Sequence, residues 1–235
     1  MKITLLSGKT FNYSEALGFE IKIVKSATAK KLNLRIDERH RIPILTIPRF
    51  CSNRKALDFV EQHRDWIKNT LARLPQHQAF SNGSKISIAG QNYTILHNPS
   101  QHGVKLENNR LLIGGTPEFL HRRVCDFLKK YATTYLHNLS VSIAAKIGHH
   151  VHKVTVKETK SRWGSCSSKN NINYNWRIIM APEFVINYLV SHEVSHLQHP
   201  NHSKEFWQCV ENLCPNWQEG RHWLKIKGKD LYIWF

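Results

Sequence analysis

The sequence predicts an α+β fold in two parts: a small β-rich region with one helix, followed by a helix-rich region that carries a strand hairpin. Three observations predict this. Alternation with period two recurs in the first half, as in Lys31 to Asp37, where Leu32, Leu34 and Ile36 share a face opposite Asn33 and Arg35. An apolar period of three and four residues runs from Leu120 to Ile147. The alternating Val151 to Glu158 and a second strand, Asn173 to Met180, are joined as a hairpin through a turn at Lys169 to Asn171 and precede a further helix. The expected division is 1–113 and 114–235.

In chain order, Met1 to Leu6 reads as a strand, because it has no basic segment followed by a long apolar one, as a signal peptide would. Phe19 to Val24 and Ile42 to Pro48 are further strands. The prolines at both ends of the latter suit a sheet edge. Ser52 or Asn53 caps one helix reaching about Leu74, with Leu57, Val60, Ile67, Leu71 and Leu74 on one stripe. Pro75 to Ser84 is polar and reads as a linker. Lys85 to Ala89, Tyr93 to His97 and Leu111 to Ile113 are short strands joined by Gly and Asn turns. Thr116, Pro117 and Glu118 open the long helix and Gly148 closes it, giving a rod of roughly 45 Å at 1.5 Å per residue. Pro182 opens the next helix, and Ser203 to Leu213 and Trp217 to Lys227 supply two more.

Composition bounds the function classes. A hydrophobic share of 41% with seven Trp and ten Phe supports a packed core and argues against disorder. No apolar run reaches eighteen residues, so no membrane span is expected. Five cysteines, with no C-x-x-C pair, fit reduced thiols in a cytoplasmic protein better than a disulfide framework or a cysteine zinc knuckle. The net charge of +17 favours anionic partners, nucleic acid and nucleotides included, although no block of like charges marks one face.

The chemistry concentrates in His192-Glu193-Val194-Ser195-His196, an H-E-x-x-H pattern. Four residues along a helix is little more than one turn, so both imidazoles project from one face and can hold one Zn²⁺. Glu193 follows His192 and can reach a metal-activated water without ligating the ion, which is the position of a general base. Phe184, Val185, Tyr188, Leu189 and Leu197 mark this helix as buried, and buried His and Glu need partners. A hydrolytic zinc takes three protein ligands and leaves one place for water. His199 lies about 10 Å along the axis from His192, too far to converge with both other imidazoles. His202 follows the turn Pro200-Asn201 and can double back, with Ser203 capping the next helix, so His202 is the expected third ligand. Glu205 and Glu211 are the rivals.

Ser161 to Cys166 precedes the metal helix and reads as a strand bordering a substrate cleft, able to add an extended peptide along its edge. Gly164 allows a substrate or backbone to approach closely. Arg162 has two readings: a group that stabilises the developing oxyanion or pairs with a substrate anion, or a structural cation. Trp163 and Trp176 read as core, and Cys166 as a small buried residue rather than a nucleophile.

The stretch SRWGSCSSKNNINYNWRIIMAP, followed by VSHEVSHLQHPNHSKEFW, closely resembles the YgjP-like family of predicted zinc metallopeptidases, itself similar to SprT-like and WLM-type proteases. The likeness is specific from Lys160 to Trp207 and looser at HRDWIKNTL. It implies a zincin-like catalytic region after a small β-rich one, with His192, His196 and His202 as ligands and Glu193 as catalyst. The leading expectation is therefore a zinc-dependent metallopeptidase acting on peptides. The alternatives are a phosphohydrolase acting on nucleotides, of the nucleoside triphosphate pyrophosphatase type, with Lys157, Lys160, Arg162, Lys169 and Arg177 neutralising phosphates, and a nucleic-acid-associated protease.

Overall fold

The computed structural model describes residues 10–12, 18–37, 40–74, 76–159 and 162–234. The strand expected at Met1 to Leu6, and Lys160 with Ser161, lie outside the described residues. Mixed α and β elements form two compact units, 1–76 and 77–235, as the α+β expectation requires. The division falls after Gln76 rather than after Ile113. The reason is a shared core: Ile86, Ile88, Ile95, Leu111 and Ile113 are buried in one cluster with Leu120, Val124 and Leu128 of the long helix. The strands assigned to the first part by their β character therefore pack with the second.

In the first unit the strands β1 (Thr10–Asn12), β2 (Lys22–Ser26), β3 (Asn33–Asp37) and β4 (Ile42–Pro48) form a sheet in the order β1-β2-β4-β3. Strand β4 is thus interior, not the edge its prolines suggested. Pro43 and Pro48 sit near its two ends, opposite Ile36 and Ser26, where a missing N–H costs little of the ladder. The single expected helix is broken into α1 (Asn53–Gln62) and α2 (Arg64–Arg73). At the junction His63 has left the helical region (φ −104°, ψ 12°), while its ring nitrogen Nδ1 lies 2.8 Å from the carbonyl of Phe59. The Ser52 hydroxyl caps α1, accepting from the N–H of Lys55 at 3.3 Å. Ala56, Val60 and Ile67 bury against Ile21, Ile23, Leu45 and Ile47.

The second unit opens with β5 (Lys85–Ile88), β6 (Gln91–His97), β7 (Val104–Glu107) and β8 (Arg110–Ile113), ordered β5-β6-β8-β7. Strand β7 escaped the sequence reading because its burial is only partial. Asn108 and Asn109, at φ 48° and 58°, make the tight turn from β7 to β8. A 3-10 turn at Pro117–Phe119 leads into α3 (Leu120–Lys146). Thr116 occupies the cap position without a side-chain cap bond. Leu120, Val124, Leu128, Ala132 and Leu136 form the buried stripe of α3 at steps of four.

The site rests on a three-stranded sheet of β9 (Lys153–Lys157), β10 (Gly164–Cys166) and β11 (Asn171–Asn175), in the order β10-β11-β9. The hairpin is formed by β10 and β11, which are antiparallel, while β9 pairs with β11 in parallel. The strand expected to reach Met180 stops at Asn175 and turns into a 3-10 segment, Trp176–Met180. All five residues of that segment are buried, a continuous run that a half-exposed strand cannot place, and the Asn175 side chain accepts from the N–H of Arg177 at 3.0 Å. Tyr174 is fully buried, and its hydroxyl meets Ser140 of α3 at 3.0 Å, which ties the sheet to the long helix. Three helices complete the unit: α4 (Glu183–Ser195), α5 (Lys204–Leu213) and α6 (Trp217–Lys227). Among the described residues no helix is long and apolar enough to cross a membrane.

Candidate metal centre

Helix α4 is apolar over most of its circumference. Val185, Ile186, Tyr188, Leu189, Val190 and Val194 are buried, so its position is fixed by packing rather than by exposed polar contacts. His192 and Glu193 lie in its last turn, and His196 ends it. The chain then tightens, with the N–H of Leu197 bonded to Val194 O at 2.9 Å, and Pro200 prevents continuation. The following turn brings His202 back. Its Nε2 lies 3.2 Å from Nε2 of His192. The rings of His192, His196 and His202 are 4.8 to 5.1 Å apart by centroid. One ligand atom from each of the three lies within 4.8 Å of the others, a group that could hold a metal ion.

Two features hold the rings in place. His196 Nδ1 lies 3.0 Å from the carbonyl of His199, which makes Nδ1 the protonated nitrogen and leaves Nε2 as the lone-pair donor. The buried ring of Phe206, on α5, contacts all three imidazoles at 4.5 to 5.0 Å. Burial, with the charges of His196, His202 and Arg221, pushes the pKa of His192 down to about 3, and burial lowers that of His196 as well. Both rings are therefore neutral at neutral pH, as a ligand must be.

Glu193 is 4% exposed. Burial pushes its carboxyl up to about 8, opposed by the positive charge of Arg162. A Cβ built on Gly164 would lie 2.4 Å from Glu193 Oε1. The close approach anticipated at Gly164 therefore comes from the Glu193 side chain. Arg162 is exposed beside β10, near enough for its charge to act on Glu193. Cys166 is pushed up to about 11 by burial and the charge of Glu193, so it is a thiol at neutral pH and not a nucleophile.

The rival ligands are elsewhere. Glu205 is exposed and accepts from the Ser203 hydroxyl at 2.6 Å, which replaces the expected Ser203 cap on α5. Glu211 is exposed and outside the cluster. The His199 contribution is its backbone carbonyl, which no residue pattern in the sequence signals. Two of the cations invoked for phosphate binding, Arg177 and Lys157, lie away from the site. Arg177 is 3% exposed and paired with Glu158, and Lys157 lies on β9, at the opposite edge of the sheet from β10.

An α+β unit with an H-E-x-x-H helix packed against a small sheet defines a zincin-like metal-dependent hydrolase. The family model described as YgjP-like, metallopeptidase domain, matches residues 30–227, and the chain belongs to that family. Its class is thus a metal-dependent hydrolase of the metallopeptidase kind. Among solved structures, the chain is similar to the metallopeptidase zymogen of Pyrococcus abyssi abylysin, at 23% identity over 39% of this chain and 95% of that one, with a TM-score of 0.36. No curated protein matches it.

Proposed function

We propose that this protein is a zinc peptidase in which His192, His196 and His202 hold one ion, Glu193 is the general base and Arg162 supports the transition state. The observation that carries this reading is the convergence of three imidazoles around one point. Two nitrogens on a tetrahedral zinc at about 2.0–2.1 Å each are roughly 3.3 Å apart, close to the 3.2 Å between the Nε2 atoms of His192 and His202. His192 turns Nε2, not the buried and unpartnered Nδ1, toward His202, so Nε2 is the nitrogen offered to an ion. The donor set fits zinc, since imidazole suits a borderline ion and, among the described residues, no fourth protein ligand joins the three.

When bound, such an ion supplies Lewis acidity toward water and the scissile carbonyl. The chain supplies the rest. Glu193 takes a proton from the attacking water and passes it to the leaving amine. Its high pKa in the protein alone shows how strongly burial favours the neutral acid, and a dication nearby offsets this by favouring the carboxylate. Among the described residues strand β10 is bonded to β11 on one side only, so its other edge can align an extended peptide beside Glu193. Arg162, exposed at the start of that strand, offers charge to the developing oxyanion.

The test uses the zinc-loaded protein and its Glu193→Gln variant on an unstructured protein, a nucleoside triphosphate panel and DNA. The expected result is proteolysis that is lost in the variant with zinc retained. Nucleotide hydrolysis without proteolysis, or full activity in the variant, would overturn the reading.

A further inference from the structure

Trp207 of α5 stands against the histidine cluster, its ring centroid 5.7 Å from that of His192 and 5.9 Å from that of His202. Trp217 of α6 stacks on Trp207 at 4.5 Å and 27°. The guanidinium carbon of Arg221 lies 5.0 Å from the Trp207 ring centroid and 5.9 Å from that of Trp217. Trp217 and Arg221 are one helical turn apart and share a face of α6. That face is held in register: a Cβ on Gly220 would fall 2.4 Å from Cβ of Tyr188, which lies one turn before His192 on α4.

Arg221 is exposed, and among the described residues no carboxylate pairs with it. The indoles hold it from one side by a cation–π contact. Its planar fork of N–H donors is left free, a geometry matched to a carboxylate. Resting on the peptidase reading, we propose that Arg221 is a specificity-determining residue that receives a carboxylate of the peptide beside the scissile bond. The steps from Arg221 to Trp207 and from Trp207 to His192 span no more than about three residues of extended chain, at roughly 3.3–3.6 Å each. A peptide offers that carboxylate from an Asp or Glu side chain within this reach, or from its own C-terminus.

The experiment compares peptides of one core sequence. One set carries Glu or Gln at each of the three positions on either side of the cleaved bond. The other ends three residues beyond that bond as a free acid or as an amide. Zinc-loaded wild type, Arg221→Gln and Arg221→Lys are assayed for kcat and KM. Equal zinc content and melting temperature confirm that the variants fold. In parallel, the same peptides are titrated against the zinc-loaded Glu193→Gln protein, with and without Arg221→Gln, reading tryptophan fluorescence. Seven tryptophans contribute to the signal, so the part assigned to Arg221 is the carboxylate-dependent change that Arg221→Gln removes.

A carboxylate in one of these arms is expected to tighten binding and lower KM by about tenfold to a hundredfold in wild type. Arg221→Gln abolishes the preference, and Arg221→Lys keeps only part of it. The responding arm identifies the source as side chain or chain end. Equal treatment of acid and neutral peptides in both readouts, or an unchanged preference in Arg221→Gln, overturns the proposal. Cleavage of all peptides alike would sink this assignment and leave the peptidase reading standing. Carboxylate-dependent fluorescence without any hydrolysis would do the reverse.

Discussion

Gly164 and Glu193 occupy space that a single added carbon would contest. A Cβ on Gly164 would lie 2.4 Å from Glu193 Oε1 and 2.7 Å from its Cγ and Cδ. Glycine is required here by the neighbouring carboxylate, not by its own backbone angle. Gly164→Ala therefore pushes Glu193 out of place while leaving the three histidines intact. The expected outcome is a fall in kcat/KM of about a hundredfold, the scale of a 1 Å misplacement, with zinc content unchanged by elemental analysis. Wild-type kinetics in that variant would show that the position of Glu193 does not matter to the reaction.

His202 is the ligand that decides between the convergent set and a carboxylate from α5. His202→Ala is expected to lose zinc on dialysis, whereas Glu205→Gln keeps it, because Glu205 is turned to the Ser203 hydroxyl. Chelation of the wild type lowers its melting temperature, since an ion bound to the folded state alone stabilises it by mass action. His202→Ala should show no such chelator effect. Full zinc occupancy in His202→Ala would move the third ligand to another side chain.

The pattern of the metal helix was legible because its chemistry is local: helix pitch alone sets two imidazoles on one face. The return of His202 was legible because Pro200 forces an end to the helix. The contribution of the His199 carbonyl was not, because every residue carries one. The contest between Gly164 and Glu193 depends on the distance between a strand and a helix that no local pattern encodes. The same limit explains the sheet errors. The strand character of Ile42–Pro48 was clear, but its interior place depends on a parallel crossover from Lys22–Ser26. The five buried residues after Asn175 read as strand by composition and became a 3-10 turn through packing.

Arg177 shows how a cation read as substrate-facing can be structural. It is 3% exposed, pairs with Glu158, donates to the Trp234 carbonyl at 3.3 Å and lies over the ring of Trp176 at 4.4 Å. Glu158, at 32% side-chain exposure, is the wetter partner. Removing Glu158 leaves a buried guanidinium short of its counter-charge, so Glu158→Ala is expected to cost about 2–3 kcal/mol in denaturant unfolding. That is far above a typical surface pair. A loss below about 0.5 kcal/mol, the scale of an ordinary surface substitution, would mean that the remaining contacts suffice.

The metal-free protein should carry its buried acid and imidazole as a pH signature of stability. The pKa of Glu193 rises from 4.5 to about 8 on folding, so the folded state holds a proton the unfolded state releases. That contribution is complete below pH 4.5 and is lost as pH rises toward 8. The pKa of His192 falls from 6.5 to about 3, so its contribution is complete above pH 6.5 and is lost as pH falls toward 3. Between pH 4.5 and 6.5 the two slopes oppose each other, and above 6.5 only that of Glu193 remains. Melting of the metal-free wild type is therefore expected to weaken from pH 6.5 to 8, by at most about 1.4 kcal/mol per pH unit. Glu193→Gln cannot titrate and should lose that slope. Zinc should flatten it as well, because a dication favours the carboxylate in the folded state. Parallel slopes in wild type and Glu193→Gln would trace the pH dependence to other groups.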